Sequence, residues 1–219
     1  FTSCSSSKET LPITAATPAI GPSDILAKSR DAMSLVKSYR FDLSHRNGNG
    51  SKIDESLTLV TAVGSVNRGE GISLESELLF GNIPVSAGVI KTKKSIYLRD
   101  PLSQKWRLIP EDSNPFAFLD PDKIITSVIT GIYEPNLVSS KGDVFKISGQ
   151  ISTSSLDYIF QETVNKDIDV TVWINRKSFV ITRAEIAGRI SEVDSDEIIR
   201  VIKITRYDEV LDIATPEIK

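Results

Sequence analysis

One cysteine, one histidine, one methionine and two tryptophans are all that the 219 residues contain of these four types. A single thiol excludes a disulfide framework, and one thiol with one imidazole excludes a Cys/His zinc site. A Ser-His-Asp triad has only His45 to draw on. A basic surplus is missing too, since 26 Lys and Arg stand against 29 Asp and Glu for a net charge of -3. Nucleic-acid binding is therefore not expected. No run of about 18 apolar residues occurs, so no transmembrane helix is expected. Catalysis, a bound metal and a cofactor are likewise not expected.

What remains is aliphatic. The chain is 40% hydrophobic and 25% charged, which suffices for a sizeable core. Isoleucine supplies 27 positions, against 8 Phe and 5 Tyr. Isoleucine is stiff at χ1 and fits a pleated surface, so the composition leans towards β-structure.

The chain opens Phe1-Thr2-Ser3-Cys4, followed by a Ser/Thr/Ala/Pro tract with Pro12, Pro18 and Pro22. A lone Cys after small residues resembles the lipobox of bacterial lipoproteins, where the thiol carries diacylglycerol. Phe1 and Thr2-Ser3 depart from the commoner residues at those positions. Cys4 is thus the expected lipidation site, and residues 1–22 the anchor and flexible tether. Such a coil spans about 25 Å r.m.s., which keeps the body beside its own membrane. Residues 23–219 are expected to form a single domain.

That domain begins with a helix capped by Ser23-Asp24, with Ile25, Leu26, Ala32, Met33, Leu35 and Val36 at helical spacing. Period-two segments follow. Tyr39 to His45 alternates, Asn47-Gly48-Asn49-Gly50 turns, and alternating runs continue from Leu57 to Ile109. Asp120-Pro121-Asp122 caps a second helix carrying Ile124, Ile125, Val128, Ile129 and Ile132. Thr153 to Glu162 reads as a third, short helix. Strands at 144–151, 167–175, 178–189 and 197–207 complete about ten strands with three helices. The expected class is α+β, built on one large antiparallel sheet.

Four passages are more specific: Ile96-Tyr97-Leu98 through Lys105-Trp106, Phe145 to Ile151, Val172-Trp173-Ile174-Asn175, and Arg183-Ala184-Glu185-Ile186. With Ile204 to Asp208 and Ile213 to Pro216 they resemble, in order, the LppX/LprA/LprF/LprG lipoprotein family. That family is related in architecture to the LolA/LolB carriers. The resemblance implies a strongly curved half-barrel with helices across its concave side, enclosing an apolar cavity. It implies carriage of acyl lipids or lipidated glycoconjugates in the bacterial cell envelope, without chemistry on them. The partners implied are an acyl lipid or glycolipid, the membrane reached through Cys4, and a transporter or acceptor protein in that membrane. The protein itself is expected to be a monomer.

Physics supports this independently. A ten-stranded sheet curls, closes or splits, and slim aliphatic side chains need not fill a wide curl. An acyl chain fills such a void at about 0.8 kcal/mol per buried CH2. The alternation places Leu59, Val63, Leu74, Leu78 and Val172 on the concave wall, with Ile174, Ile186, Ile202 and Ile204. Ile125, Val128, Ile129, Leu156, Ile159 and Phe160 are expected to cover it. Two function classes stay open on the residues alone. One is a membrane-anchored carrier or presenter of acyl lipids. The other is an assembly lipoprotein that docks a protein partner through its sheet. Concave volume discriminates them. His45 is expected at a strand end on the surface, and Glu192, Asp194, Asp196 and Glu197 in a solvated turn. Lys91, Lys93 and Lys94 form a basic knot near a turn.

Overall fold

The computed structural model describes residues 20–53, 55–110, 112, 120–157 and 163–218. Cys4 with most of the expected tether, and Ile159 with Phe160, lie outside the described residues.

Helix α1 spans Pro22–Leu35 and α2 spans Pro121–Gly131. Gly21, not the Ser23-Asp24 pair, is the N-cap of α1. Pro22 then occupies the first turn, where a missing N–H costs nothing, and Asp24 faces the positive end of the helix dipole. In α2 the expected cap is present, for the Asp120 carboxylate accepts the Lys123 N–H at 3.1 Å.

The third expected helix is a single 3-10 turn, Thr153–Leu156, so the described residues hold two α-helices and not three. Thr153 explains the short element. Its hydroxyl donates to the Val164 carbonyl and its N–H to the Lys166 carbonyl. Those bonds tie the segment to the chain that follows, in competition with helix propagation.

Twelve strands form among the described residues. They are β1 (Ser38–Arg46), β2 (Ser51–Lys52), β3 (Leu57–Asn67), β4 (Gly71–Phe80), β5 (Ile83–Thr92), β6 (Ile96–Arg99), β7 (Trp106–Ile109), β8 (Tyr133–Ser139), β9 (Val144–Ser152), β10 (Asp167–Asn175), β11 (Ile181–Ala187) and β12 (Ile199–Thr205). One antiparallel sheet takes them in the order β7-β6-β5-β4-β3-β1-β12-β11-β10-β9-β8, with β2 on β3. The sheet is open, with β7 and β8 at its edges. β2 and β8 exceed the ten strands expected. β8 escaped sequence reading because it contains Pro135 and is bulged twice against β9. An edge strand tolerates both features, since one side of its ladder needs no partner.

The β1–β12 seam joins the first strand to the last and divides the sheet into two wings. Along it Phe41 pairs with Ile204 and Leu43 with Ile202, and Phe41, Leu43 and Ile202 face α2. Their wing neighbours, among them Leu59, Leu74, Leu78, Val172, Ile174 and Ile186, join the helices in one apolar core.

Candidate functional site

The site is built where α2 crosses the seam. Phe41 and Leu43 on β1 and Ile202 on β12 face Pro121, Ile124 and Ile125 on α2, around a cavity of about 30 Å³. Every lining side chain is apolar. Gly64 on β3 makes the room for Phe41, because a Cβ there would sit 2.6 Å from the Phe41 ring and 2.5 Å from the Ser73 carbonyl. The space is about that of a water molecule, and an apolar void of this size stays dry. It is too small to take an acyl chain as it stands.

The start of α2 is held by a polar clasp of buried Tyr39, half-buried Asp122 and exposed Arg68. Tyr39 donates from its hydroxyl to Asp122 Oδ1 at 2.7 Å. Arg68 reaches both Asp122 oxygens, at 2.9 and 3.1 Å, and its Nη1 donates to the carbonyls of Met33, Ser34 and Val36. One guanidinium thus satisfies the open carbonyls at the end of α1 and pins the first turn of α2. Burial, then the Asp122 charge, pushes the Tyr39 hydroxyl well above its ordinary range. Beyond the clasp, Leu26, Ala27 and Arg30 of α1 meet Ile129, Thr130 and Pro135 around a second groove of about 220 Å³. Its lining mixes apolar and polar groups.

Two residues further along the seam the chemistry inverts. His45 pairs with Arg200 in the same inward-facing register as Leu43 and Ile202. Arg200 and Asp194 form a buried ion pair, their side chains 4% and 1% exposed. Arg200 Nε donates to Ser51 Oγ at 2.8 Å and Nη1 to the Gly188 carbonyl at 2.9 Å. Asp194 also accepts the N–H groups of Lys52, Ile190 and Ser191. His45 Nε2 lies 2.9 Å from Ser51 Oγ, and Nδ1 lies 2.8 Å from the Val60 carbonyl. A ring nitrogen facing a carbonyl must carry the proton, so Nε2 is the acceptor. Burial first, and then the Arg200 charge, lowers the His45 pKa below its usual value.

Two expectations change here. His45 is a half-buried strand tie, not a surface residue. Asp194 is buried, while Glu192, Asp196 and Glu197 are exposed. The His45–Ser51 contact has the spacing of a base and nucleophile. Ser51 is however buried, and its oxygen already accepts from Arg200. Among the described residues no group of three His, Cys, Asp or Glu is placed to hold a metal.

The other predicted wall residues sort by register. Ile125 and Ile202 line the cavity. Val128, Ile129 and Leu156 are buried in the core but do not line the cavity, and Ile129 borders the groove against α1. Leu59, Leu74 and Leu78 are buried on one wing, and Val172, Ile174, Ile186 and Ile204 are packed on the other. Val63 is a correction. The β3–β4 register shifts between Leu59 and Thr61, so Ala62 and Val66 turn inward and Val63 pairs with the outward Glu75. A bulge of one residue reverses every side chain beyond it. Phe41, Leu43, Pro121 and Ile124 were missed as lining. The alternation Tyr39-Phe41-Leu43 carried the signal for the first two.

An open antiparallel sheet with two helices on its inner face and an apolar cavity beneath one of them defines a half-barrel with a greasy interior. Two solved structures superpose on this fold. LprF from Mycobacterium bovis superposes with a TM-score of 0.68 at 17% identity, covering 89% of this chain and 96% of that one. The Mycobacterium tuberculosis lipoprotein LppX superposes with a TM-score of 0.58 at 18% identity, covering 87% and 98%. The chain therefore has the LprF/LppX fold to which its motifs pointed. No family model and no curated protein matches the sequence.

Proposed function

We propose that this protein is an envelope lipoprotein, anchored through Cys4, whose body at residues 23–219 binds and carries or presents acyl lipids or lipidated glycoconjugates. The observation that carries this reading is the wholly apolar cavity at the seam, roofed by a helix on a polar clasp. Its six lining residues offer a ligand no hydrogen bond, so only hydrocarbon gains by entering. An acyl chain enters by lifting α2 away from Leu43 and Ile202. Pro121, Ile124 and Ile125 of the roof adjoin Asp122, so this movement requires the clasp of Tyr39 and Arg68 to release the helix start. The LprF/LppX fold supports the same reading.

A second reading has one observation in its favour. Val172 and Ile174 are fully buried and the void is small, as in a filled core that docks a protein partner by its surface. Native mass spectrometry of the purified protein, with extraction of co-purifying lipid, separates the two. Bound lipid at about one per chain is expected. A ligand-free mass, together with no saturable binding of a fluorescent acyl probe, defeats the carrier reading. For the anchor, Cys4→Ala is expected to release the protein from membranes. Membrane sedimentation of that variant at high salt refutes Cys4 as the attachment.

A further inference from the structure

The convex face, turned away from α1 and α2, carries a cross-strand row that the carrier reading does not use. Lys146 on β9 pairs with Trp173 on β10, Trp173 with Arg183 on β11, and Arg183 with Lys203 on β12. Lys146 Nζ lies 5.1 Å from the Trp173 ring centroid and Arg183 Cζ lies 4.9 Å from it. Since the cations come from the strands on either side of β10, the indole sits between them. Arg183 also pairs with Glu185, which pairs in turn with Arg46 at 2.7 Å. Towards the β10–β11 turn the same face adds Arg40, and the turn adds the exposed Lys177, while Arg176 turns back over the inward Phe145 ring. Asp42, Asp143 and the paired Glu185 are the acids beside them, and Asp167 and Asp169 face the same way further along β10. On the other wing Glu75 and Glu77 on β4 face outward, and Arg99 on β6 pairs with Glu75. In a chain of net charge -3, Lys146, Arg183 and Lys203 thus stand in one row across four adjacent strands.

We infer that this basic row is a docking surface for an anionic phospholipid bilayer. The inference rests on the reading that the protein is held at a membrane. Three features point to it. Four adjacent strands span only about 14 Å, a stretch a bilayer can meet despite the sheet's curl. Lys203 is exposed, and Lys146 and Arg183 are held by the indole, so the cations meet headgroup phosphates with little ordering left to do. Both flanks of the indole are already occupied by cations, which leaves no face for a sugar ring to stack upon. Docking by this wing turns α1, α2 and the apolar cavity away from the anchoring membrane, towards an acceptor.

The test uses the full chain expressed without acylation, so that a wrong assignment of Cys4 does not affect it. It is sedimented with vesicles of equal parts phosphatidylglycerol and phosphatidylcholine, and with phosphatidylcholine alone. Salt-sensitive binding to the anionic vesicles only is expected. Lys146→Glu with Lys203→Glu is expected to weaken it by roughly thirtyfold or more. Lys93→Glu with Lys94→Glu, on the other wing, makes the same change of net charge and is expected to leave most binding intact. Circular dichroism checks that each variant folds, and Lys203→Gln serves as a milder change if the double variant does not. Undiminished binding by folded row variants overturns the inference, as does equal loss in both pairs. Absence of vesicle binding also overturns it. If inorganic polyphosphate still binds in a row-dependent way, the surface belongs instead to a soluble polyanion.

Discussion

The two ends of the β1–β12 seam share strands, register and facing, and differ in everything else. At the α2 end, Phe41, Leu43 and Ile202 meet a helix across a void. At the other end, His45, Arg200, Asp194 and Ser51 close on one another with directional bonds. The contrast shows what sets the limits of an apolar site. Aliphatic side chains pack without specifying distance, so a helix resting on them can move. A buried ion pair with its backbone donors tolerates no such freedom, because each broken contact leaves a desolvated charge. The polar end thus floors the site and fixes the seam, while the apolar end is left to yield.

The largest way to break this contrast is to remove the floor. Asp194→Ala strands the Arg200 guanidinium and three N–H groups, and is expected to cost about 3–5 kcal/mol in urea unfolding. Adding Arg200→Met removes the buried charge and is expected to recover part of that loss, but not all, since the N–H groups stay unpaired. Full recovery shows that the backbone contacts to Asp194 contribute nothing. Next in size is the packed wing. Val172 is fully buried between Ile147 and Ala184 on the flanking strands. Val172→Trp is expected to overpack and cost about 1–3 kcal/mol. A neutral result there means that the hollow reaches further along β10 than the seam cavity.

The sequence showed the apolar end of this contrast more readily than the polar one. Period-two runs placed β1, β3 to β7 and β9 to β12, and the Asp-Pro pair placed α2, because alternation and capping are local signals. Facing along a strand is local only until a bulge intervenes. Nothing in Leu59 to Val63 announces the slip at Val60, and Val63 was lost to it. The polar end was illegible for another reason. Asp194 and Arg200 read as a charged turn and a strand residue, and His45 as a surface residue. Their burial comes from β2 and the 188–198 loop folding over the seam, contacts up to 149 residues apart in the chain. β8 hid behind Pro135, and the third helix was overruled by Thr153 bonding to the segment after it.

A smaller effect tests the polar end by pH. The His45 pKa is lowered in the folded protein, so between that value and 6.5 the unfolded chain binds the proton and the folded chain resists it. The stability that the neutral ring contributes is therefore complete above pH 6.5 and falls as the pH drops below it. Arg200 on β12 and Asp194 in the loop are the charges facing the ring, and they act in opposite directions. His45→Gln is expected to flatten the dependence of the melting temperature on pH over this window. An unchanged slope places the titration in another group.

The smallest expected change in stability carries the most about function. Ile124 is half-buried at the lip of the cavity, on the side of α2 that meets Leu43 and Ile202. Ile124→Trp adds a ring where solvent is within reach, so the extra bulk can swing outward or settle into the void. The expected cost is below about 1 kcal/mol, unlike the same kind of substitution at Val172. If an acyl chain enters beneath α2, the indole occupies its path and saturable binding of a fluorescent fatty acid is expected to fall tenfold or more. Ile124→Ala widens the same lip and is expected to preserve binding. The two together separate a blocked entrance from a damaged fold. Equal binding by parent, Ile124→Trp and Ile124→Ala moves the ligand away from the seam, to the groove between α1 and α2 as the next place to probe.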